Sequence, residues 1–322
     1  MKRWMKILMI VCFVSSFTIP PLFAQEEFPT KTITIIVPFS PGSQTDLGAR
    51  ALASFLSKSL GQPVVIMNKP GGGAIVGGHA VATAKPDGYT LGFLPLSPSI
   101  PESYSYFLGA SYTSGDLKPV SRILAPVATL SVKADAPWKS VRELVDHAKK
   151  YPGIKYGITG LGSSPHIMIA TVEKAEGVKF TPITFPGDSE IVPAILGGHI
   201  PFGLPHFVIV RKQVEAGEIR VLAVYSEQRY DPLPKVPTFA ELGYKIPYYP
   251  YFGIFAPKAT PDTILKKLDR TIEKAKDDPQ FVEKVKNLGI PITYENSENF
   301  RNSISEYKAN IESLFKELGY VK

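Results

Sequence analysis

The sequence predicts an α/β protein of two lobes, each a mostly parallel sheet flanked by helices, joined by two crossover segments above a shared cleft. Three observations predict it. Short apolar runs alternate with helical patterns twice along the 322 residues, which is the signature of parallel sheets covered on both faces. An apolar run over 126–132 leads out of the first series, and one over 253–256 leads back. Four loops rich in Gly, Ser and Pro stand where predicted strands end, the place where open α/β proteins bind ligands.

The first series opens with a strand at 33–37, a Pro/Gly/Ser loop at 38–44 and a helix over 45–60. A strand at 64–67, a helix over 74–84 and a strand at 89–94 follow, with Lys85-Pro86-Asp87-Gly88 as the turn before the last. Residues 95–118 carry Pro, Ser, Tyr and Gly in no period and read as an irregular loop. The second series has a helix opened by a capping box, Ser140 with Glu143 three residues on. It continues with a strand at 154–158, a helix over 165–175, a strand at 181–184, a helix over 190–196 and a strand at 219–224. Thr260 followed by Pro261 reads as N-cap and first helical position of a tail with two amphipathic helices.

The N-terminus reads differently. Lys2, Arg3 and Lys6 precede an apolar run over 7–19 and a short region ending at Ala24, the layout of a secretory signal peptide with cleavage after Ala24. The single cysteine, Cys12, lies inside it, so the mature chain has no thiol chemistry and suits an oxidising compartment. Loss of the three cations lowers the formal charge from +7 to +4. The basic residues form no run, which argues against nucleic acid as a partner. The five histidines, at 79, 147, 166, 199 and 206, show no i,i+4 pair and no HExxH, so neither a metal site nor any cofactor is expected.

The loops carry the binding chemistry. In Phe39-Ser40-Pro41-Gly42-Ser43-Gln44-Thr45-Asp46 a strand ends and a helix begins, so unpaired backbone N–H groups and the positive end of the helix dipole face the cleft. Such a site holds a carboxylate without Arg or Lys. The loop Lys69-Pro70-Gly71-Gly72-Gly73 fits neither GxGxxG nor a P-loop, and reads as flexible backbone near the ligand or the first loop, with Gly72 at its centre. Thr159-Gly160-Leu161-Gly162-Ser163-Ser164-Pro165-His166 is a second strand-to-helix loop. Pro165 at the first helical position makes Ser164 the expected N-cap and leaves Ser163 toward the cleft. Phe185-Pro186-Gly187-Asp188-Ser189 is the fourth, with Phe185 and Gly187 as candidates, and His206 is expected to line the cleft.

Together these stretches resemble the periplasmic receptors of tripartite tricarboxylate transporters, the Bug receptors. The matching pieces are VPFSPGSQTDLGAR, NKPGGGAIVGGHAVATAKPDGYTL, KYGITGLGSSPHIMIA with ITFPGDSEIVPAILGGHI, and IRVLAVYSEQRYDPLPKVPTFAELG with FGIFAPKATP, in family order. The resemblance implies a type II periplasmic-binding-protein fold, with lobe 1 at 25–125 and 253–322 and lobe 2 at 126–252. It implies a monomeric periplasmic receptor, not an enzyme, that takes a small organic acid to membrane permease subunits. Carried over, the ligand positions are Ser43, Thr45 and Asp46, then Gly160, Gly162, Ser163 and His166, and Gly187. Ser43 stands where the family has a second Gly. Pro201-Phe202-Gly203-Leu204-Pro205-His206 replaces a stretch with an Asp, which suggests a ligand with one recognised carboxylate and an apolar or aromatic remainder. Two other readings remain open: a sensor subunit docking on a histidine-kinase ectodomain, and a secreted hydrolase using Ser163 with His166.

Overall fold

The computed structural model describes residues 28–104, 109–245 and 247–319; the expected signal peptide lies outside them. The chain starts with β1 (Ile33–Val37), α1 (Gln44–Leu60), β2 (Val64–Asn68), α2 (Ile75–Ala82), β3 (Thr90–Leu94) and a single helical turn, α3 (Leu96–Ser99). Strand β4 (Leu117–Leu124) then leads to β5 (Ala128–Lys133), α4 (Val141–Lys150), β6 (Ile154–Ile158), α5 (Ser164–Glu176), β7 (Phe180–Thr184) and α6 (Ile191–Leu196). After them come β8 (Phe202–Gly203), α7 (Phe207–Glu215), β9 (Ile219–Tyr225), β10 (Phe252–Pro257), α8 (Asp262–Glu273), α9 (Pro279–Asn287), β11 (Ile292–Glu295) and α10 (Ser297–Glu317).

The strands form a six-stranded sheet in the order β11-β4-β10-β3-β1-β2 and a five-stranded sheet in the order β7-β6-β8-β5-β9. The expected α/β architecture of two helix-flanked sheets is therefore present, but both sheets are mixed. β1 is parallel to β2 and β3, whereas β10 runs antiparallel to β3 and β4. In the second sheet β6 is parallel to β7 and β8, and β5 is antiparallel to β8 and β9. The antiparallel pairs arise because the chain passes between the sheets twice, from β4 to β5 and from β9 back to β10. Strands at such passages enter from the opposite end to a strand delivered by a helical crossover.

Each sheet has its own core. Ile35, Leu52, Phe93 and Leu268 are wholly buried around the first; Leu130, Tyr156, Met168 and Phe202 are buried around the second. The stretch expected to be an irregular loop, 95–118, holds the short α3 and runs at its end into β4, a strand not expected, whose Val120, Ile123 and Leu124 are buried. Pro119 interrupts the apolar pattern and hid this strand. The tail carries three helices and β11 instead of two helices. Pro261, not Thr260, stands at the N-cap of α8, without a side-chain cap, and Thr260 is buried. At α4 half of the capping box forms: Ser140 Oγ accepts the Glu143 amide at 3.2 Å, while the Glu143 carboxylate takes the amide of Lys139 at 2.6 Å.

Candidate functional site

The loops after β1 and β6 build the same local structure. Ser43 and Ser163 are the N-cap residues of α1 and α5, with φ,ψ of −66°, 159° and −64°, 161°. Each is preceded by a left-handed glycine, Gly42 at φ 80° and Gly162 at φ 77°. Each serine amide donates three residues back, to Ser40 O and Gly160 O, at 3.2 Å. The glycine amide is taken by the side chain four residues on: Gly42 N–H by Asp46 Oδ2 at 2.9 Å and Gly162 N–H by His166 Nδ1 at 3.0 Å. Asp46 and His166 thus do equivalent work, holding the turn that aims a helix N-terminus at the space between the sheets.

The chemistry of the two braces differs. Asp46 is buried, with Oδ2 also taking Arg50 Nε at 2.9 Å and Oδ1 taking Asn68 Nδ2 at 2.9 Å. Burial opposes its charge, yet Arg50, the Gly42 amide and Asn68 hold its carboxyl below the usual carboxylate range. His166 is 5 % exposed, and burial lowers its pKa from 6.5 to about 4, so it is neutral at pH 7. Replacing Asp46 with alanine leaves the Gly42 amide without its acceptor and the Asn68 carboxamide with only Phe39 O. The expected loss is about 2 kcal/mol, read as a shift in the urea unfolding midpoint.

Between the helix ends lies a partly open cavity with about 30 Å³ of free space, enough for one small polar group. Ser43, Thr45, Thr159 and Ser163 line it, with Phe39 at one wall and His206 with Asp188 at another. An outer hollow of about 490 Å³ adjoins it; Phe39 and Thr159 border both spaces. Neither space is lined by an arginine or lysine. Asp188 is 2 % exposed and reaches across the cleft: Oδ1 accepts the Gln44 amide of α1 at 3.3 Å, and Oδ2 accepts His206 Nδ1 at 2.8 Å and its amide at 3.3 Å. The Ser163 hydroxyl is buried with no partner among the described residues and makes no cap bond. Gln44 is wholly buried, and its carboxamide likewise lacks a partner among them.

Residues 48–320 match the tripartite tricarboxylate transporter family receptor, TctC. The chain belongs to this receptor family. It is 32 % identical over 274 residues to protein BugT of Bordetella pertussis, with 84 % of each chain covered. The periplasmic binding protein BugD superposes with a TM-score of 0.81 at 28 % identity, covering 91 % of this chain and 99 % of BugD. R. palustris Rpa4515, solved with adipate, gives 0.83 at 28 % identity, covering 91 % and 98 %. TctC receptors are binding proteins and not enzymes, which removes the hydrolase reading. No helix of the described residues is long and apolar enough to cross a membrane.

In this TctC receptor the expected residues separate into three groups. Phe39, Ser43, Thr45, Thr159, Ser163 and His206 line the inner cavity; Gly72, Gly160 and Phe185 line the outer hollow. Gly160 lies against Gly73 across the cleft, where a Cβ would stand 3.1 Å from the Gly73 Cα. Pro41, Gln44, Asp46, Gly162, His166 and Gly187 line neither space. Pro41 is exposed at the tip of its turn, Asp46 and His166 brace turns from behind, and Gly162 packs on Tyr104. Gly187 meets Ser40 across the cleft. Ser163, not Ser164, takes the N-cap position; Ser164 Oγ instead accepts the Tyr248 hydroxyl at 2.9 Å.

Two side chains need larger revision. Phe202, counted toward an aromatic-recognising cleft, is wholly buried in the second sheet, stacked on Tyr156 with centroids 5.3 Å apart. Asp188 was not singled out, although an acidic residue next to Gly187 at a strand end was visible. The aromatic run at 248–252 likewise supplies unexpected walls, through Tyr251 and Phe252.

Proposed function

We propose that this TctC-family protein is a periplasmic solute receptor that closes on a small carboxylate-bearing metabolite and presents it to a tripartite-transporter permease in the membrane. The single observation carrying this reading is the convergence of two equivalent helix N-termini on one hydroxyl-lined cavity that no Arg or Lys of the described residues borders. Backbone dipoles and hydroxyls are then the natural partners of an anion. That a structural relative was solved with adipate supports an organic acid as ligand.

In this reading the lobes are 25–125 with 253–322, and 126–252, and they close by moving about the two crossovers. Residues 1–24 direct export and are removed after Ala24. Thr45 and Ser163 contact the ligand from opposite lobes, and His206 borders it. Native mass spectrometry of the purified protein should reveal a bound organic acid released on denaturation. Titration calorimetry with that acid then tests the site. Ser163→Ala is expected to weaken binding tenfold or more, the scale of one hydrogen bond to a charged group. An unchanged affinity would place the ligand elsewhere.

A further inference from the structure

The two strand-turn-helix units that face the cavity are alike in backbone and differ in what their helix ends are given to do. At α1, the Ser43 hydroxyl accepts the Asp46 amide at 3.4 Å and the Gln44 amide goes to Asp188. At α5, the Ser163 hydroxyl is buried and has no partner among the described residues. The carboxylate at α1 therefore belongs to the protein itself, brought from 144 residues away on the opposite side of the cleft. His206 keeps it there through Nδ1, and because a carboxylate only accepts, that nitrogen carries the proton.

Resting on the receptor reading above, we infer that Asp188, positioned by His206, is a specificity-determining residue. It reserves the α1 helix end and restricts the ligand to organic acids with a single carboxylate and an uncharged, apolar remainder. The ligand's carboxylate meets Ser163 at the α5 end. A second carboxylate directed at α1 would lie beside Asp188 in a water-poor cavity without a lysine or arginine, where like charges repel strongly. The remainder of the ligand is taken by the outer hollow, which shares the walls Phe39 and Thr159 with the cavity. That hollow is walled by Phe185, Leu161, Pro70, Pro186 and glycine backbone, with no charged side chain. Its volume suits a chain of several carbons or a single ring. The class is thus medium-chain aliphatic or aromatic monocarboxylates.

The test is titration calorimetry of the full mature chain with hexanoate and benzoate against adipate and malate, for the wild type and for Asp188→Asn, which keeps the shape and removes the charge. The wild type is expected to bind one of the monocarboxylates at least tenfold more tightly than either dicarboxylate. In Asp188→Asn the ratio of adipate to hexanoate affinity is expected to rise at least tenfold. A wild type that prefers adipate or malate, or a ratio that Asp188→Asn leaves unchanged, overturns the inference while leaving the receptor reading intact. A wild type that binds none of the four acids overturns both. Should Asp188→Asn fail to melt cooperatively, the wild-type preference alone decides.

Discussion

Phe202→Ala is expected to destabilise the protein by about 3–5 kcal/mol, the usual cost of emptying a buried aromatic site. Phe202 is wholly buried on a two-residue strand, its ring stacked on Tyr156 and edge-on to Phe180 with centroids 5.2 Å apart. The loss has two parts, the apolar surface no longer removed from water and the void left between the two rings, which the sheet cannot collapse to fill. Urea unfolding followed by circular dichroism measures it. Calorimetry on the same variant, in conditions where it stays folded, separates a core role from a cleft role. Ligand affinity within twofold of the wild type is expected, and a loss of tenfold would return Phe202 to the binding surface.

Acid is expected to weaken the fold in two steps that different side chains control. For His166 the folded-state pKa of about 4 lies below the unfolded value of 6.5. As pH falls through that window the unfolded chain takes up a proton that the folded chain refuses, so the stabilisation present above pH 6.5 is progressively lost down to about pH 4. The shift corresponds to about 3 kcal/mol. Asp46 acts lower: its carboxyl is held below the ordinary 3.8, so its contribution is present above that value and disappears as pH falls through the folded pKa. His166→Asn offers Oδ1 where Nδ1 accepts the Gly162 amide and cannot titrate. The stability curve of this variant is expected to lose the part of the wild-type slope between pH 6.5 and 4 that His166 supplies, with the lower step retained. An identical slope in both proteins would assign it to other groups.

Equivalence of Asp46 and His166 could not be seen by comparing letters, because one is an acid and the other an imidazole. Backbone register shows it, since both side chains lie four residues beyond a left-handed glycine and accept its amide. The practical consequence is that positions matched to a receptor family by motif divide into those that touch the cavity and those that shape the loops around it. Thr45 and Ser163 belong to the first kind; Asp46, Gly162 and His166 belong to the second.

Local patterns carried the alternation of strands and helices, the two loops that open α1 and α5, and the family to which the chain belongs. These features depend on neighbours a few residues apart: apolar periodicity, glycine before a capping serine, and proline in a first turn. What lay outside that range had to await the folded chain. Pro119 disguised β4, a strand recognisable through its pairing with β10. Phe202 read as a residue of the cleft until Tyr156 and Phe180 were placed beside it. Asp188 was one more turn residue until folding set its carboxylate against the Gln44 amide 144 positions earlier. A helix terminus attracts an anion wherever it occurs, and local sequence suffices to find one. Which anion reaches it depends on long-range packing, because a carboxylate buried by the fold and one carried by a ligand satisfy the same amide.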